Sequence, residues 1–242
     1  MQQACAPVDL RLNRIVFGCL EFAGCGDGAA AFVLERSDDA DGRGIELFFR
    51  VAGRGTEILS QKRAGERLDI LGPLGRGFTV GLAAKGRTAY LVGGGRGIAP
   101  LYFLARALTA AGARPVIFYG GRTLSDIPLR DRLEKAGFEA RCSTDDGSFG
   151  FAGFVTALFE KDLARVRPAI VYACGPDPMM KALAAITAKH GLPAEFSLES
   201  VMGCGIGACW GCVHRIRNEG GDGWVKICEE GPVFPGERIL WP

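Results

Sequence analysis

The sequence predicts a mixed α/β and β fold in three parts. Over residues 1–84, short apolar runs separated by glycine- and aspartate-rich turns are typical of a small antiparallel β-barrel. Over 85–199, strands and helices alternate, which predicts a doubly wound parallel sheet with helices on both faces. The remaining segment, 200–242, is rich in cysteine and glycine and has little helix or strand signal, so we expect an appended module.

The composition limits the classes of partner. The chain has 242 residues, 48% hydrophobic and 23% charged, and its net charge of +2 gives no reason to expect nucleic acid or a membrane surface. No apolar run is long enough to span a bilayer, and Met1 to Leu12 lack the apolar core of a signal peptide. We therefore expect a cytoplasmic chain whose nine cysteines stay reduced unless they bind metal.

The N-terminal part shows a strand–turn–strand pattern. Strands are expected within 10–22 and over 31–35, 45–51 and 67–71, and a short helical piece over 57–62. Three cysteines in this part have no ligand spacing and are expected to be incidental: Cys5, Cys19 and Cys25.

The middle part alternates strands and helices. Strands are expected over 88–93, 114–119, 138–143, 169–174 and 194–198, and helices over 98–111, 128–136, 154–159 and 179–190. In an open sheet of this kind, ligands bind beyond the carboxyl ends of the strands. The loops at those ends are therefore the candidates for a binding site.

Three such loops have nucleotide-binding character. Gly93-Gly-Gly-Arg-Gly97 opens a helix, so its backbone can approach a pyrophosphate whose charge the helix N–H groups can bind. This signal alone is weak, because it lacks the G-x-G-x-x-G fingerprint and a structural turn explains it equally well. The others are Thr144-Asp-Asp-Gly-Ser-Phe-Gly150 and Cys174-Gly-Pro-Asp-Pro-Met-Met180. Together the three loops predict a nucleotide lying across one edge of the sheet.

The C-terminal segment has the spacing Cys204-x4-Cys209-x2-Cys212, with Cys228 following after fifteen residues. This is the plant-type pattern for an iron–sulfur cluster bound by four thiolates, and it favours [2Fe–2S] over [4Fe–4S]. The glycines around the cysteines allow a tight loop whose amides can point at sulfur. Structural zinc is the alternative, although zinc sites usually use two C-x2–4-C pairs.

These motifs resemble the ferredoxin–NADP reductase superfamily. The three loops described above resemble its NAD(P)-binding half, while Val51-x-Gly-Arg-Gly-Thr56 and Leu71-Gly-Pro-Leu-Gly-x-Gly-Phe78 resemble its flavin-binding half. With the four cysteines and Gly231-Pro-Val-Phe234, the chain is similar over about residues 45–240 to the electron-transfer subunits of type B dihydroorotate dehydrogenases.

The resemblance implies an oxidoreductase subunit that passes electrons between NADH and a catalytic FMN-containing flavoprotein through FAD and one [2Fe–2S] cluster. It implies a heterotetramer that oxidises dihydroorotate to orotate in pyrimidine biosynthesis, and a chain that is inactive on dihydroorotate alone because it has no catalytic residues for that substrate. The implied flavin contacts are Phe48, Phe49, Arg50, Gly55 and Thr56; the implied NAD contacts are Gly94, Gly95, Gly97, Thr144, Asp145, Cys174, Gly175 and Pro176; the implied cluster ligands are Cys204, Cys209, Cys212 and Cys228.

The chemistry supports a flavin independently of the resemblance. Nicotinamide transfers two electrons as a hydride, whereas an iron–sulfur cluster accepts one electron at a time. A chain that binds both needs a carrier able to do both, and flavins are such carriers.

The sequence departs from the family pattern in its N-terminal part. An Arg-x-x-Ser type motif that meets the FAD phosphate is expected near residues 29–36, but Ala29 to Ala31 are three alanines and Arg36 is out of pattern. Either the remaining contacts hold FAD with another arginine compensating, or the flavin site is altered. Arg96 replaces the usual small apolar residue of the glycine loop, and Arg122 is expected near the adenosine end. The preference between NADH and NADPH is not readable, although the resemblance favours NADH.

Two other functions are compatible with the same motifs. The chain could be an NAD(P)H reductase subunit of another redox complex, which a co-purifying partner would identify. It could also be a non-enzymatic regulator that binds zinc and a nucleotide, and metal analysis would then find zinc without iron.

Overall fold

The computed structural model of this chain describes residues 31–37, 44–51, 53–66 and 74–242. The strand expected within 10–22, the three incidental cysteines and the strand expected over 67–71 lie outside these residues. The complete barrel also extends beyond them and remains a prediction.

The described N-terminal elements are a hairpin and a short helix. Strands β1 (Ala31–Ser37) and β2 (Gly44–Phe49) pair antiparallel, from Ala31 opposite Phe49 to Ser37 opposite Gly44. Helix α1 (Arg54–Ser60) follows and begins three residues earlier than expected. The two strands and the helix predicted here are present.

The middle of the chain alternates strands and helices as predicted. Its elements are β3 (Thr88–Gly94), α2 (Ile98–Ala110), β4 (Arg114–Gly121), α3 (Arg130–Lys135), β5 (Glu139–Thr144), β6 (Phe151–Ala152), α4 (Val155–Leu163), β7 (Ile170–Cys174), α5 (Asp177–Lys189) and β8 (Ala194–Ser197). In the part of the chain that the structure describes, no helix is long and apolar enough to cross a membrane.

The C-terminal segment has more regular structure than the sequence suggested. It contains β9 (Val213–Asn218), β10 (Gly221–Lys226), α6 (Ile227–Glu230) and β11 (Val233–Pro235). These strands and this helix were not predicted. Ile216 and Val225 are buried among exposed and charged neighbours, so each short strand offers only a weak alternating pattern.

The central sheet has seven strands in the order β11-β8-β7-β3-β4-β5-β6. All neighbouring pairs are parallel except β8 with β11, which is antiparallel. The predicted parallel sheet is confirmed, while the edge strands β6 and β11 were not predicted. Because β11 belongs to the cysteine-rich segment, that segment extends the nucleotide-binding sheet.

Two hydrophobic clusters cover the two faces of the sheet. On one face, Leu91 and Ile117 pack with residues of α2 such as Leu104. On the other face, Tyr90 and Phe118 pack with Phe159 of α4 and residues of α5. Neighbouring strand residues thus point to opposite faces, as a parallel sheet covered on both sides requires.

Candidate functional site

The strand register brings the predicted nucleotide loops together at one edge of the sheet. Gly93 pairs with Cys174 across β3 and β7, Gly94 pairs with Gly120 across β3 and β4, and Gly121 pairs with Thr144 across β4 and β5. This set of strand ends is called the nucleotide edge below. The edge has the position at which open α/β sheets bind ligands.

The glycines of the nucleotide edge are required by close packing. A Cβ atom on Gly97 would lie 2.2 Å from the carbonyl oxygen of Cys174, and one on Gly94 would lie 2.8 Å from Cδ of Pro176. Gly95 has a φ of +53° and open space where its Cβ would be. The first and third predicted loops are therefore in direct contact, and the backbone at Gly95 stays accessible to a ligand.

Two helices begin at this edge. Gly95–Gly97 forms a short 3-10 turn that leads directly into α2, and α5 begins at Asp177, immediately after Pro176. The free N–H groups of a helix's first turn favour anionic groups, and α2 is long enough, at 13 residues, to have a substantial dipole. The edge therefore suits a ligand with a diphosphate.

The loop after β5 is stabilised by its own side chains. The hydroxyl of Thr144 donates to the carbonyl of Phe149 and accepts from the same residue's N–H, both at 2.9 Å. Asp145 is exposed and its N–H donates to the carbonyl of Gly121 at 3.0 Å. The buried Thr144 side chain thus shapes the loop, and Asp145 offers an accessible carboxylate.

One charged residue of this edge, Glu199, was missed in the sequence. Glu199 lies just after β8, at the same edge of the sheet as Cys174, the last residue of β7. Its position after a predicted strand was the signal that could have identified it. Burial raises the pKa of Glu199, the guanidinium of Arg96 opposes this shift, and Asp177 adds to it. Nε of Arg96 is buried without a hydrogen-bond partner. Arg96 therefore acts electrostatically on the segment that leads to the cysteines.

The four predicted cluster cysteines are arranged as two pairs. Sγ of Cys212 lies 3.2 Å from Sγ of Cys228, and both residues are buried. The N–H of Cys209 donates to Sγ of Cys204 at 3.4 Å; Cys204 is half-buried and Cys209 is exposed. One pair is thus part of the core, and the other faces outward.

Backbone amides surround the sulfur atoms, as the glycine pattern predicted. The N–H of Gly207 lies 3.2 Å from Sγ of Cys228, and that of Gly211 lies 3.4 Å from Sγ of Cys209. Gly207 has a φ of +80°, and the same left-handed region is occupied by Trp210 at +58°. The loop therefore bends through conformations that turn its amides toward the thiols.

The two environments affect the thiols in opposite directions. Hydrogen bonds from the amides of Ile206 and Cys209 lower the pKa of Cys204 to about 7. Burial raises the pKa of Cys228 to about 11, and the neighbouring Cys212 contributes to this shift. Deprotonation of Cys228 is therefore favoured when a positively charged group binds its sulfur.

The arrangement suits a cluster better than a single metal ion. A zinc ion would need four ligands around one centre. Two pairs of thiols could instead supply two ligands to each of two irons in a cluster with four cysteine ligands.

Family models match both regions. The description "Iron-sulfur cluster binding domain of dihydroorotate dehydrogenase B" matches residues 199–240, and "Oxidoreductase NAD-binding domain" matches residues 91–185. A dihydroorotate dehydrogenase B (NAD(+)) electron transfer subunit of Desulforamulus reducens is 40% identical over 197 residues, 81% of this chain and 74% of that protein. The corresponding subunit of Enterococcus faecalis is 44% identical over 80% of this chain and 74% of its own length.

The chain belongs to the family of dihydroorotate dehydrogenase B electron transfer subunits. The resemblance identified from the motifs is therefore confirmed. As a member of this family, the chain is an oxidoreductase subunit with an NAD-binding region and an iron–sulfur-binding region.

Solved structures agree with this membership. An NADH-dependent reduced ferredoxin–NADP oxidoreductase, studied for flavin-based electron bifurcation, has a TM-score of 0.71 at 32% identity and covers 87% of this chain and 73% of its own. The ferredoxin reductase of carbazole 1,9a-dioxygenase has a TM-score of 0.53 at 23% identity, covers 74% of this chain and 60% of its own, and shares the fold.

The structure describes the five residues that the resemblance predicts as flavin contacts. Phe49 is buried, Phe48 is half-buried against the core, and Arg50 is exposed. Gly55 and Thr56 are buried at the start of α1, where the hydroxyl of Thr56 donates to the carbonyl of Gly53 at 3.0 Å. Among these residues, Arg50 is an exposed cation and Phe48 is a partly exposed aromatic ring, and both suit an anionic aromatic cofactor.

The second flavin-type motif contacts the cysteine-rich segment of this family member. The N–H of Arg76 donates to the carbonyl of Gly231 at 2.5 Å, and the N–H of Val233 donates back to the carbonyl of Arg76 at 3.3 Å. A Cβ atom on Gly75 would lie 2.1 Å from the oxygen of Gly231. The segment after Cys228 is thus packed directly against the flavin-type loop.

An exposed apolar surface surrounds the outer cysteines. Val201, Ile206 and Trp210 are 68%, 55% and 59% exposed. The ammonium of Lys226 lies 5.1 Å from the ring centre of Trp210 and donates to the carbonyl of Gly207 at 3.2 Å. Lys226 therefore acts as a clamp on the cysteine loop, while the side chains of Val201 and Ile206 stay exposed.

Proposed function

We propose that this chain passes electrons between NAD(H) and a catalytic flavoprotein partner as the electron transfer subunit of a dihydroorotate dehydrogenase B. In that role the partner oxidises dihydroorotate to orotate, and this chain delivers the electrons to NAD+. The proposal assigns NAD(H), FAD and one [2Fe–2S] cluster to the chain.

One observation carries the proposal: the nucleotide edge and the buried cysteines belong to one continuous core. Cys212 and Cys228 lie in the same hydrophobic cluster as Met180 of α5 and Phe196 of β8. Strand β11 then joins the segment to β8 through hydrogen bonds. A continuous rigid core holds the two redox sites at a constant separation, as repeated electron transfer requires.

The residues of the nucleotide edge would bind and orient the dinucleotide. The N–H groups at the start of α2 would hold the diphosphate, since the open backbone at Gly95 gives access. The turn Cys174-Gly175-Pro176 would lie beside the nicotinamide, because it is nearer than β4 and β5 to the strand that joins the cysteine segment. Gly97 and Gly94 keep this turn and the glycine loop in contact.

Cys204, Cys209, Cys212 and Cys228 would be the cluster ligands. When bound, a [2Fe–2S] cluster supplies one-electron chemistry. The amides of Gly207 and Gly211 would stabilise the negative charge on the thiolates and so affect the reduction potential. The core around Cys212 and Cys228 would keep water from the inner side of the site.

FAD is assigned because its chemistry links a hydride donor to a one-electron carrier. The exposed guanidinium of Arg50 and the buried Gly55–Thr56 turn would hold its phosphates, while Phe48 and Phe49 would line the ring system. The contacts of Gly75 and Arg76 with Gly231 support this assignment, since they bring a flavin-type loop against the cysteine segment.

The partner is proposed to be an FMN-containing catalytic subunit, and the assembly a heterotetramer. The apolar surface of Val201, Ile206 and Trp210 beside the exposed Cys209 is available for such a contact. This chain alone is expected to leave dihydroorotate unchanged.

The first test is the cofactor content after anaerobic purification. One FAD, two irons and two sulfides per chain would support the proposal and mean that the absent Arg-x-x-Ser motif is compensated. Two irons without flavin would remove FAD from the proposal and require flavin from the partner. Zinc without iron would overturn it.

A reductase subunit of another redox complex is the second candidate, favoured by the similarity to the NADH-dependent ferredoxin–NADP oxidoreductase. Affinity purification of the tagged chain under anaerobic conditions separates the two. Recovery of a complex with a flavoprotein that reduces NAD+ with dihydroorotate supports the first function, and a complex with no such activity supports the second.

A further inference from the structure

An arginine held by a carboxylate lies where β4 ends. Nε of Arg122 is 3.0 Å from Oδ2 of Asp126, and its Nη2 is 3.5 Å from Oδ1 of the same residue. The Arg122 side chain is 75% exposed, while that of Asp126 is 29% exposed. Asp126 thus occupies one side of the guanidinium with two contacts, and the other side faces solvent.

Two more carboxylates belong to this corner of the nucleotide edge. The N–H of Asp145 donates to the carbonyl of Gly121 at 3.0 Å, and that of Asp146 donates to the carbonyl of Arg122 at 3.1 Å. The carboxylate of Asp126 makes the largest contribution to the raised pKa of Arg122, and Asp145 adds to it. Hydrogen bonds from Ser148 lower the pKa of Asp146. Arg122 therefore feels the charge of more than one carboxylate.

This corner lies at the adenosine end of the dinucleotide path. The nicotinamide must lie toward β8, because the cysteine segment joins the sheet there through β11. With the diphosphate at the start of α2, the other half of the dinucleotide extends over β4 and β5, on the opposite side of β3. In dinucleotide sites a carboxylate binds the ribose 2′-hydroxyl of NAD, whereas an arginine accommodates the 2′-phosphate of NADP.

We propose that Arg122 is a latent ligand for a 2′-phosphate that Asp126 keeps occupied, and that this ion pair makes the site select NADH over NADPH. The inference rests on the proposed function, since it requires a pyridine dinucleotide along the nucleotide edge.

The selection follows from competition and repulsion. A guanidinium binds phosphate through the same planar N–H groups that it offers to a carboxylate. A 2′-phosphate would have to displace Asp126 and approach Asp145 and Asp146. The 2′-hydroxyl of NADH carries no charge and can donate to a carboxylate of the corner. The same residues therefore oppose one dinucleotide and accept the other.

The test is a double-mutant cycle on the full chain with its cofactors bound. Affinities for NADH and for NADPH are measured by titration for the native chain, Asp126→Ala, Arg122→Ala and the double variant. We expect Asp126→Ala to bind NADPH roughly tenfold more tightly, with NADH affinity changed less than about twofold, because one charge-assisted contact becomes available. The gain should be absent in the double variant and should shrink as salt is raised.

Asp222→Asn is the matched control. It removes the carboxylate of another exposed pair, Arg215 with Asp222 at 3.2 Å, on the β9–β10 hairpin, and should leave both affinities unchanged. Asp126→Asn keeps the side chain's shape and should give a smaller gain in NADPH affinity. It replaces the alanine variant in the test if that variant fails to fold.

Three results are decisive. An unchanged preference in both Asp126 variants overturns the inference, as does a gain that persists without Arg122. In both cases NADH still binds the native chain, so the proposed function stands. If the native chain binds neither dinucleotide, the proposed function fails instead.

Discussion

The nucleotide edge and the cysteine loop are built in different ways. At the nucleotide edge, parallel strands align the loops, and Gly97 lies so close to Cys174 that a single added carbon would be 2.2 Å from its carbonyl oxygen. In the cysteine loop, Gly205 and Gly207 adopt left-handed conformations, and Cys209 and Trp210 remain exposed. The edge is thus fixed by packing within the protein, whereas the outer half of the loop is exposed.

The largest expected effect separates the two cysteine pairs. Cys228→Ser and Cys209→Ser should each lose the bound iron, because each removes one of four thiolates. In the metal-free chain, Cys228→Ser should lower the free energy of unfolding by about 1–3 kcal/mol, since a more polar hydroxyl replaces a buried thiol. Cys209→Ser should change it by less than about 0.5 kcal/mol, as is usual for exposed positions. Iron analysis and denaturant unfolding of both variants measure these effects.

The second effect tests the packing of the nucleotide edge. Gly97→Ala should lower the unfolding free energy by about 1–3 kcal/mol and weaken NADH binding, because the loops must separate to admit the methyl group. Gly81→Ala is the control, since its Cβ would meet no atom within 4 Å. Thermal unfolding and NADH titration are the measurements. Equal behaviour of the two variants would mean that the edge adapts freely.

The third effect concerns the clamp on the cysteine loop. Lys226→Met removes the contacts of the ammonium with Trp210, with the carbonyl of Gly207 and with Glu229. We expect faster loss of iron to a chelator, with NADH binding unchanged, because the clamp holds only the outer half of the loop. An unchanged rate would show that the thiolate–iron bonds alone hold the loop.

The smallest effect is a dependence on pH at the boundary between the two regions. The pKa of Glu199 is raised above its usual value of 4.5, chiefly by burial. The charged form of Glu199 is thus disfavoured in the folded chain. The protonated form therefore stabilises the fold fully below pH 4.5 relative to high pH, and this contribution is lost as pH rises through the folded-state pKa. Glu199→Gln should therefore be more stable than the native chain at neutral pH and equal to it at pH 4, by thermal unfolding.

Much of the central fold could be predicted because its periodicity is local. The predicted helix 98–111 is α2 (Ile98–Ala110), and the predicted strand 114–119 is most of β4 (Arg114–Gly121). The pairing of β11 with β8 could not be predicted, because it joins three residues to a strand that is distant in sequence. Local patterns carry no information about such contacts.

The candidate site was predictable in its residues more than in their surroundings. Spacing identified the four cysteines as a set, but their division into a buried and an exposed pair depends on the packing of the C-terminal strands. Thr144 was predicted as a cofactor contact, and its hydroxyl is engaged with Phe149. Glu199 carries no motif, so only the folded arrangement reveals its charge beside Arg96.

The antiparallel pairing of β8 with β11 also determines how such proteins can recombine. Removal of the chain after residue 199 would take away β11 and leave β8 as a bare edge, with unpaired N–H and C=O groups open to aggregation, so a chimaera joined there must rebuild this pairing. A junction before β3 keeps the whole sheet, from Thr88 to Pro235, in one inherited piece. In this architecture, an exchange that keeps the sheet intact transfers the nucleotide edge and the cysteine segment as one unit.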